Sequence, residues 1–150
     1  MKRIIALETI CSGAPAGPGF DGVSGVHTHM THSCLTDPEI LELRFPVLLE
    51  DFHIREGSGG KGQWCAGDGT QRTIRFLEKM DCPLFSGHRR IPPFGVDGGL
   101  PGELGENSVR RLDGRIDKVE GCDQFVVEAG EAVTIKTPTG GGYGDPAKRD

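Results

Sequence analysis

A chain of 150 residues with a formal net charge of −5 and a pI near 5.5 has the size of one domain and lacks the basic footprint that nucleic acid demands. Its 24 glycines and 10 prolines break the backbone too often for long helices, and without a fixed period they exclude collagen. With 35% apolar residues and no run approaching the roughly 20 that span a bilayer, the composition predicts a mainly β protein with one short helix (α+β), loop-rich and glycine-rich, soluble and cytoplasmic.

In chain order, residues 2–10 read as a strand. The opening Met1 to Leu7 starts like a signal peptide, but Glu8 ends the apolar run too early. A glycine- and proline-rich loop from Ser12 to Gly22 leads into His27-Thr28-His29-Met30-Thr31-His32-Ser33. Neutral imidazole is the commonest protein ligand for divalent metals and titrates near neutral pH. An extended backbone projects His27 and His29 to the same side, about 7 Å apart, close enough for one ion, with Asp37 as a candidate carboxylate ligand. Contact with a substrate or a neighbouring subunit, or bonding to loop backbone, fits the same spacing.

Thr36-Asp37-Pro38-Glu39 predicts a helix start: Asp37 or Thr36 caps it, Pro38 suits the first turn, and Glu39 completes a capping box with Thr36. Pro46 stops the helix after barely two turns. Val47–Leu49 and Phe52–Arg55 read as the next strand. The cluster from Gly57 to Gly62 invites a phosphate-loop reading, yet Gln63-Trp64 stands where the motif needs Lys and Ser or Thr, so a tight connection between strands is the better reading. Thr73–Phe76 alternates as a half-buried strand, with residues 82–86 as its expected partner.

Ile91 to Gly105 reads as a long loop. Ser108 to Lys118 reads as a hairpin around a two-residue Asp113-Gly114 turn. Phe125–Val127 and Ala132–Ile135 are expected to pair, turning at Ala129-Gly130, and Thr137 to Gly144 is expected to be irregular. Five cysteines (Cys11, Cys34, Cys65, Cys82 and Cys122) are odd in number, widely spaced and without a CxxC pair, which fits reduced thiols. Cys34 beside the histidines is a candidate nucleophile, though an incidental thiol is the simpler reading. Arg89-Arg90 can bind an anionic substrate through guanidinium forks, against the simpler reading of a solvated strand end.

Gly25-Val26-His27-Thr28-His29-Met30-Thr31 with Thr36-Asp37-Pro38-Glu39-Ile40-Leu41-Glu42 resembles the hydantoinase B/5-oxoprolinase family. So do Gly57-Ser58-Gly59-Gly60, Gly67-Asp68-Gly69 and Gly140-Gly141-Gly142-Tyr143-Gly144, in the same order along nearly the whole chain. The resemblance implies that residues 1–150 correspond to the C-terminal portion of a longer B domain, truncated at its N-terminus. It implies ATP-dependent opening of a small cyclic amide, 5-oxoproline to glutamate or a hydantoin to an N-carbamoyl amino acid. ATP would be used by a partner hydantoinase A-type subunit or domain rather than bound here, in an oligomeric assembly.

By the same resemblance His27 and His29 are the catalytic and metal-contact candidates for a divalent ion, and Asp37 and Arg44 the substrate-binding ones. His32, Cys34, Cys65-Ala66, Gly87-His88 and Thr139 depart from the family pattern, which usually has Asn, Arg, Arg-Gly, an acidic residue or Arg, and Gly there. Two readings of other classes stand beside it: a non-catalytic module that only packs against partner chains, and a small metal-binding β domain.

Overall fold

The Asp37 side chain starts the single α-helix among the described residues: its Oδ1 accepts from the Glu39 N–H at 2.9 Å and the Ile40 N–H at 3.4 Å. The computed structural model describes residues 7–27 and 34–149. Helix α1 (Pro38–Arg44) has Pro38 in its first turn and ends at Phe45, ahead of Pro46. With Asp37 as the cap, Glu39 is one residue too early to close the predicted capping box with Thr36. Leu41 is the buried residue of the helix, and Glu42 accepts from the Leu49 N–H at 2.8 Å, fastening α1 to the strand that follows.

The strands are β1 (Val47–Ile54), β2 (Thr70–Phe76), β3 (Met80–Phe85), β4 (Glu106–Arg110), β5 (Ile116–Val119), β6 (Cys122–Val127) and β7 (Ala132–Lys136). Five form an antiparallel sheet in the order β1-β2-β7-β4-β5, and β3 and β6 form a separate two-stranded ribbon. The mainly β class with one short α-helix is therefore correct, but two predicted pairings are not. Residues 82–86 pair with β6 instead of β2 (Phe85 opposite Cys122), and β7 pairs with β2 and β4 instead of β6.

The bend at Glu128–Glu131 explains the second difference. Phe76 at the end of β2 accepts from the Gly130 N–H at 2.7 Å and donates to the Glu131 carbonyl at 2.9 Å. That grip draws the following strand onto β2 and leaves β6 to the ribbon. The core lies between the two sheets, where Val109, Val133 and Val127 meet Phe76, Met80 and Phe125.

The β4–β5 connection is a hairpin, as expected, with a three-residue loop in place of the two-residue turn. Arg111 N–H bonds the Arg115 carbonyl at 2.8 Å, and Gly114 takes φ +84, the pattern of a turn followed by a glycine bulge. The predicted strand over residues 2–10 is absent from its described part: residues 7–10 are irregular, and the first ladder contact is an isolated bridge from Ser12 to Val26.

The glycine-rich segments, read from sequence as separate connections, bond to one another. Gly67 N–H reaches the Ala14 carbonyl (2.9 Å), Gly60 N–H the Gly140 carbonyl (3.0 Å), Ala16 N–H the Gly141 carbonyl (3.1 Å) and Val96 N–H the Gly142 carbonyl (3.0 Å). Gly140, Gly141 and Gly142 are buried in this body. Thr139, also buried, ties it further, donating to the Ser58 carbonyl at 2.8 Å and accepting from the Glu103 N–H at 2.7 Å.

Arg111 joins the hairpin to the β6–β7 bend through Asp117 (2.8 Å) and buried Glu131 (2.9 Å). Burial works to raise the Glu131 carboxyl. The Glu128 N–H and the Arg111 guanidinium that bond it outweigh burial and hold it below the usual range. A depressed carboxyl adds stability above its unfolded pKa and loses it as pH falls through the folded one. Glu131→Gln is therefore expected to be less stable than the parent at neutral pH, the difference shrinking below the ordinary glutamate value of 4.5. Urea midpoints at neutral pH and near pH 3 check this, and an unchanged difference would refute it.

Candidate functional site

Val26 exchanges backbone hydrogen bonds with Ser12 (2.8 and 3.3 Å), and Gly25, at φ +61, donates to the Asp68 carbonyl at 3.1 Å. A side chain at Gly25 would touch Thr70 and Ile54, so the segment leading to His27 lies across the paired ends of β1 and β2. Thr70 secures the neighbouring strand. Its hydroxyl donates to the Cys11 carbonyl at 2.7 Å, while its N–H donates to the Thr137 hydroxyl at 2.8 Å.

The motifs interlock around this segment. Asp68 accepts from the Gly59 N–H (2.8 Å) and its own N–H donates to the Ser24 hydroxyl (2.8 Å), three residues before His27. Gly69 N–H reaches the Ser58 hydroxyl at 3.2 Å. Three N–H groups of the Gly57–Gly60 loop therefore go to protein acceptors, Ser58 to Arg55, Gly59 to Asp68 and Gly60 to Gly140. These bonds tie the cluster into the fold, as a tight connection between strands would.

His27 is half-buried, and both its ring nitrogens are buried without a hydrogen-bond partner among the described residues. An unsatisfied buried polar group costs about 1–3 kcal/mol, so this imidazole is prepared to meet a partner: a substrate group, a water or a metal. As a single neutral nitrogen donor it fits a divalent ion. The other predicted metal-contact residue, His29, lies outside the described residues, as does His32. Among the described residues no group of three His, Cys, Asp or Glu side chains is placed to hold an ion.

Asp37 and Arg44 stand at opposite ends of α1. The Asp37 carboxylate is engaged in capping the helix, and Arg44 is exposed at the last turn. All five cysteines are free. Cys34 is exposed, and burial pushes the Cys82 thiol up, away from reactivity.

The sequence-based reading of Arg89-Arg90 as a solvated strand end holds for one of the two. Arg90 is exposed and pairs with Glu120 at 3.1 Å. Arg89 is half-buried, and burial, followed by the charge of Arg55, lowers its pKa. No local pattern could reveal that, because the residues that enclose Arg89 lie far along the chain.

A family model described as hydantoinase B/oxoprolinase matches residues 2–146. The chain is 45% identical over 137 residues to 5-oxoprolinase 1 of Arabidopsis thaliana and 40% identical over 137 residues to 5-oxoprolinase of Dictyostelium discoideum. Each alignment covers 91% of this chain and 11% of the relative, so the chain spans about a tenth of their length. Among solved structures, the ATP-dependent caprolactamase of Pseudomonas jessenii superposes with a TM-score of 0.75 at 26% identity, over 93% of this chain and 25% of that one. Similarity along almost the entire chain, in sequence and in fold, leads to one conclusion: the chain belongs to the hydantoinase B/oxoprolinase family.

Proposed function

We propose that this chain is the C-terminal β-rich part of the B half of an ATP-dependent cyclic-amide hydrolase, working with an A-type half that binds ATP. The observation that carries the reading is the 40–45% identity to 5-oxoprolinases along nine-tenths of the chain. A lactam carbonyl is resonance-stabilised and resists water. Transfer of the terminal phosphoryl group of ATP to its oxygen turns that oxygen into a leaving group. Water then adds to the carbon, the C–N bond breaks as nitrogen takes a proton, and a second water hydrolyses the acyl phosphate left behind to the carboxylate and inorganic phosphate.

The step needs a group to take the proton from water and donors for the developing negative charge. His27 is the proposed group on this chain, since its two ring nitrogens are buried with no hydrogen-bond partner among the described residues. If a divalent ion is also used, His27 and His29 would hold it, and it would polarise the oxygen.

The test is ATP-dependent opening of 5-oxoproline by the complete enzyme carrying His27→Ala. General-base loss lowers kcat by about 10²–10⁴, with KM changing far less. The large exposed side chains of Leu7, Phe85 and Phe94 favour a second reading, a purely packing module, which expects unchanged turnover. Equal metal content in the parent and in the His27→Ala/His29→Ala variant would remove the metal role.

A further inference from the structure

Among the described residues, Arg89 is a fixed cation without a counter-charge. Its side chain runs between two glycines: a methyl group on Gly105 would lie 2.3 Å from Nη1, and one on Gly121 would lie 3.3 Å from Cγ. Nε and Nη2 donate to Asn107 Oδ1 at 3.2 and 2.8 Å, and Nη1 donates to the Gly87 carbonyl at 2.6 Å. Asn107 is itself 2% exposed, and its amide is held in one orientation by the Ser86 hydroxyl at 2.9 Å.

All these acceptors are neutral. The surrounding carboxylates are committed elsewhere: Glu120 to Arg90, Glu103 to Arg55 and Glu8 to Arg72. Among the described residues none pairs with Arg89, and the charge felt most strongly beside it is the like charge of Arg55. A guanidinium has five N–H donors. Three are used, which leaves one on each terminal nitrogen, the pair that a carboxylate fork matches.

Arg89 heads an open cleft of about 400 Å³, within the range of small-molecule sites. Leu7, Ile10 and Phe85 supply apolar walls, and Ser86, His88 and Arg89 the polar end. His88 adopts φ +51, unusual for a residue with a Cβ, and donates through Nδ1 to the Ile91 carbonyl at 3.0 Å. Ser12, which also lines the cleft, is the backbone partner of Val26, so the cleft adjoins the segment that leads to His27.

We propose that Arg89 binds the carboxylate of a small carboxylic acid whose apolar body lies along Leu7, Ile10 and Phe85. Resting on the cyclic-amide reading, this selects a lactam that carries a carboxylate over a neutral one.

The test titrates the isotope-labelled 150-residue chain with L-5-oxoproline, with 2-pyrrolidinone (the same ring without the carboxylate) and with isobutyrate (a carboxylate without the ring). Saturable shifts of the Arg89 Nε–H and of the Gly87, Gly105 and Gly121 amides are expected with both carboxylates and not with 2-pyrrolidinone. Arg89→Gln is expected to weaken binding roughly ten- to hundredfold, and Arg89→Lys to weaken it less. Absence of saturable shifts with either carboxylate, or equal shifts from sodium chloride at matched ionic strength, would overturn the anion site whether or not any variant folds. Isobutyrate binding as tightly as 5-oxoproline supports the anion site while counting against the cyclic-amide reading, and weaker isobutyrate binding supports both. Turnover of 5-oxoproline by a complete enzyme carrying Arg89→Gln, with KM unchanged, overturns the site and leaves that reading intact.

Discussion

Arg72→Ala is expected to cost about 3–5 kcal/mol of folding stability, the range for removing one partner of a buried ion pair. Arg72 is in the middle of β2, flanked by β1 and β7, and is 2% exposed. Its Nε and Nη2 each donate to Glu8 at 3.1 Å, a two-point fork, and its guanidinium stacks over the Phe52 ring with 5.6 Å to the centroid. Alanine removes the fork, the stack and the packed stem together, and leaves the mostly buried Glu8 carboxylate uncompensated.

The same pair replaced together, as Arg72→Met with Glu8→Leu, is expected to be nearly neutral, because a buried ion pair gains little over apolar residues of similar volume. Urea midpoints of the single and double variants check both. A loss below about 1 kcal/mol for Arg72→Ala, the value of a solvated surface pair, would refute the assignment. Glu8 belongs to a segment that makes no strand ladder, so this fork docks residues 7–10 on the sheet. Proteolytic cleavage near Glu8 should therefore accelerate in the same variant.

Gly141→Ala is the second large effect expected. A methyl group there would stand 1.8 Å from the Phe94 carbonyl oxygen and 2.5 Å from its carbon. Backbone, unlike a side-chain tip, cannot swing aside, so the two segments must part. The hydrogen bonds from Ala16 to Gly141 and from Val96 to Gly142 are lost with the separation. The expected loss is about 3 kcal/mol or more, in the tail of single-substitution effects. Gly87→Ala is the control, since a methyl group there meets nothing within 4 Å, and it should stay within about 0.5 kcal/mol of the parent. Thermal midpoints of the two variants decide the matter, and equal midpoints would show that the glycine body is not close-packed.

What was legible in the sequence followed from local chemistry. Asp37, Pro38 and Pro46 bracket α1 because caps and proline act within one turn. β1 and β2 were readable from their apolar and alternating residues, and Asp113-Gly114 marked its hairpin because only a few residue types accept a positive φ. The partners of β3, β6 and β7 were not readable. Periodicity shows that a segment is a strand but not which edge it joins, and here Phe76 intervenes between strands that are neighbours in sequence.

The candidate site divides the same way. The residues around His27 announced themselves through a motif, and so did the family. Arg89 looked like a solvated strand end, because Asn107, Gly105 and Gly121, which hold and enclose it, lie 16 to 32 positions further along the chain.

By itself, then, the sequence determined the mainly β class, the short helix, the free thiols and the family, all of which rest on residue types and short spacings. Only the tertiary structure decided strand order, the joining of four glycine-rich segments into one backbone-packed body, and the half-buried setting of Arg89, with which no carboxylate pairs among the described residues. Those depend on which distant backbones approach one another, and a glycine permits that approach without specifying its partner.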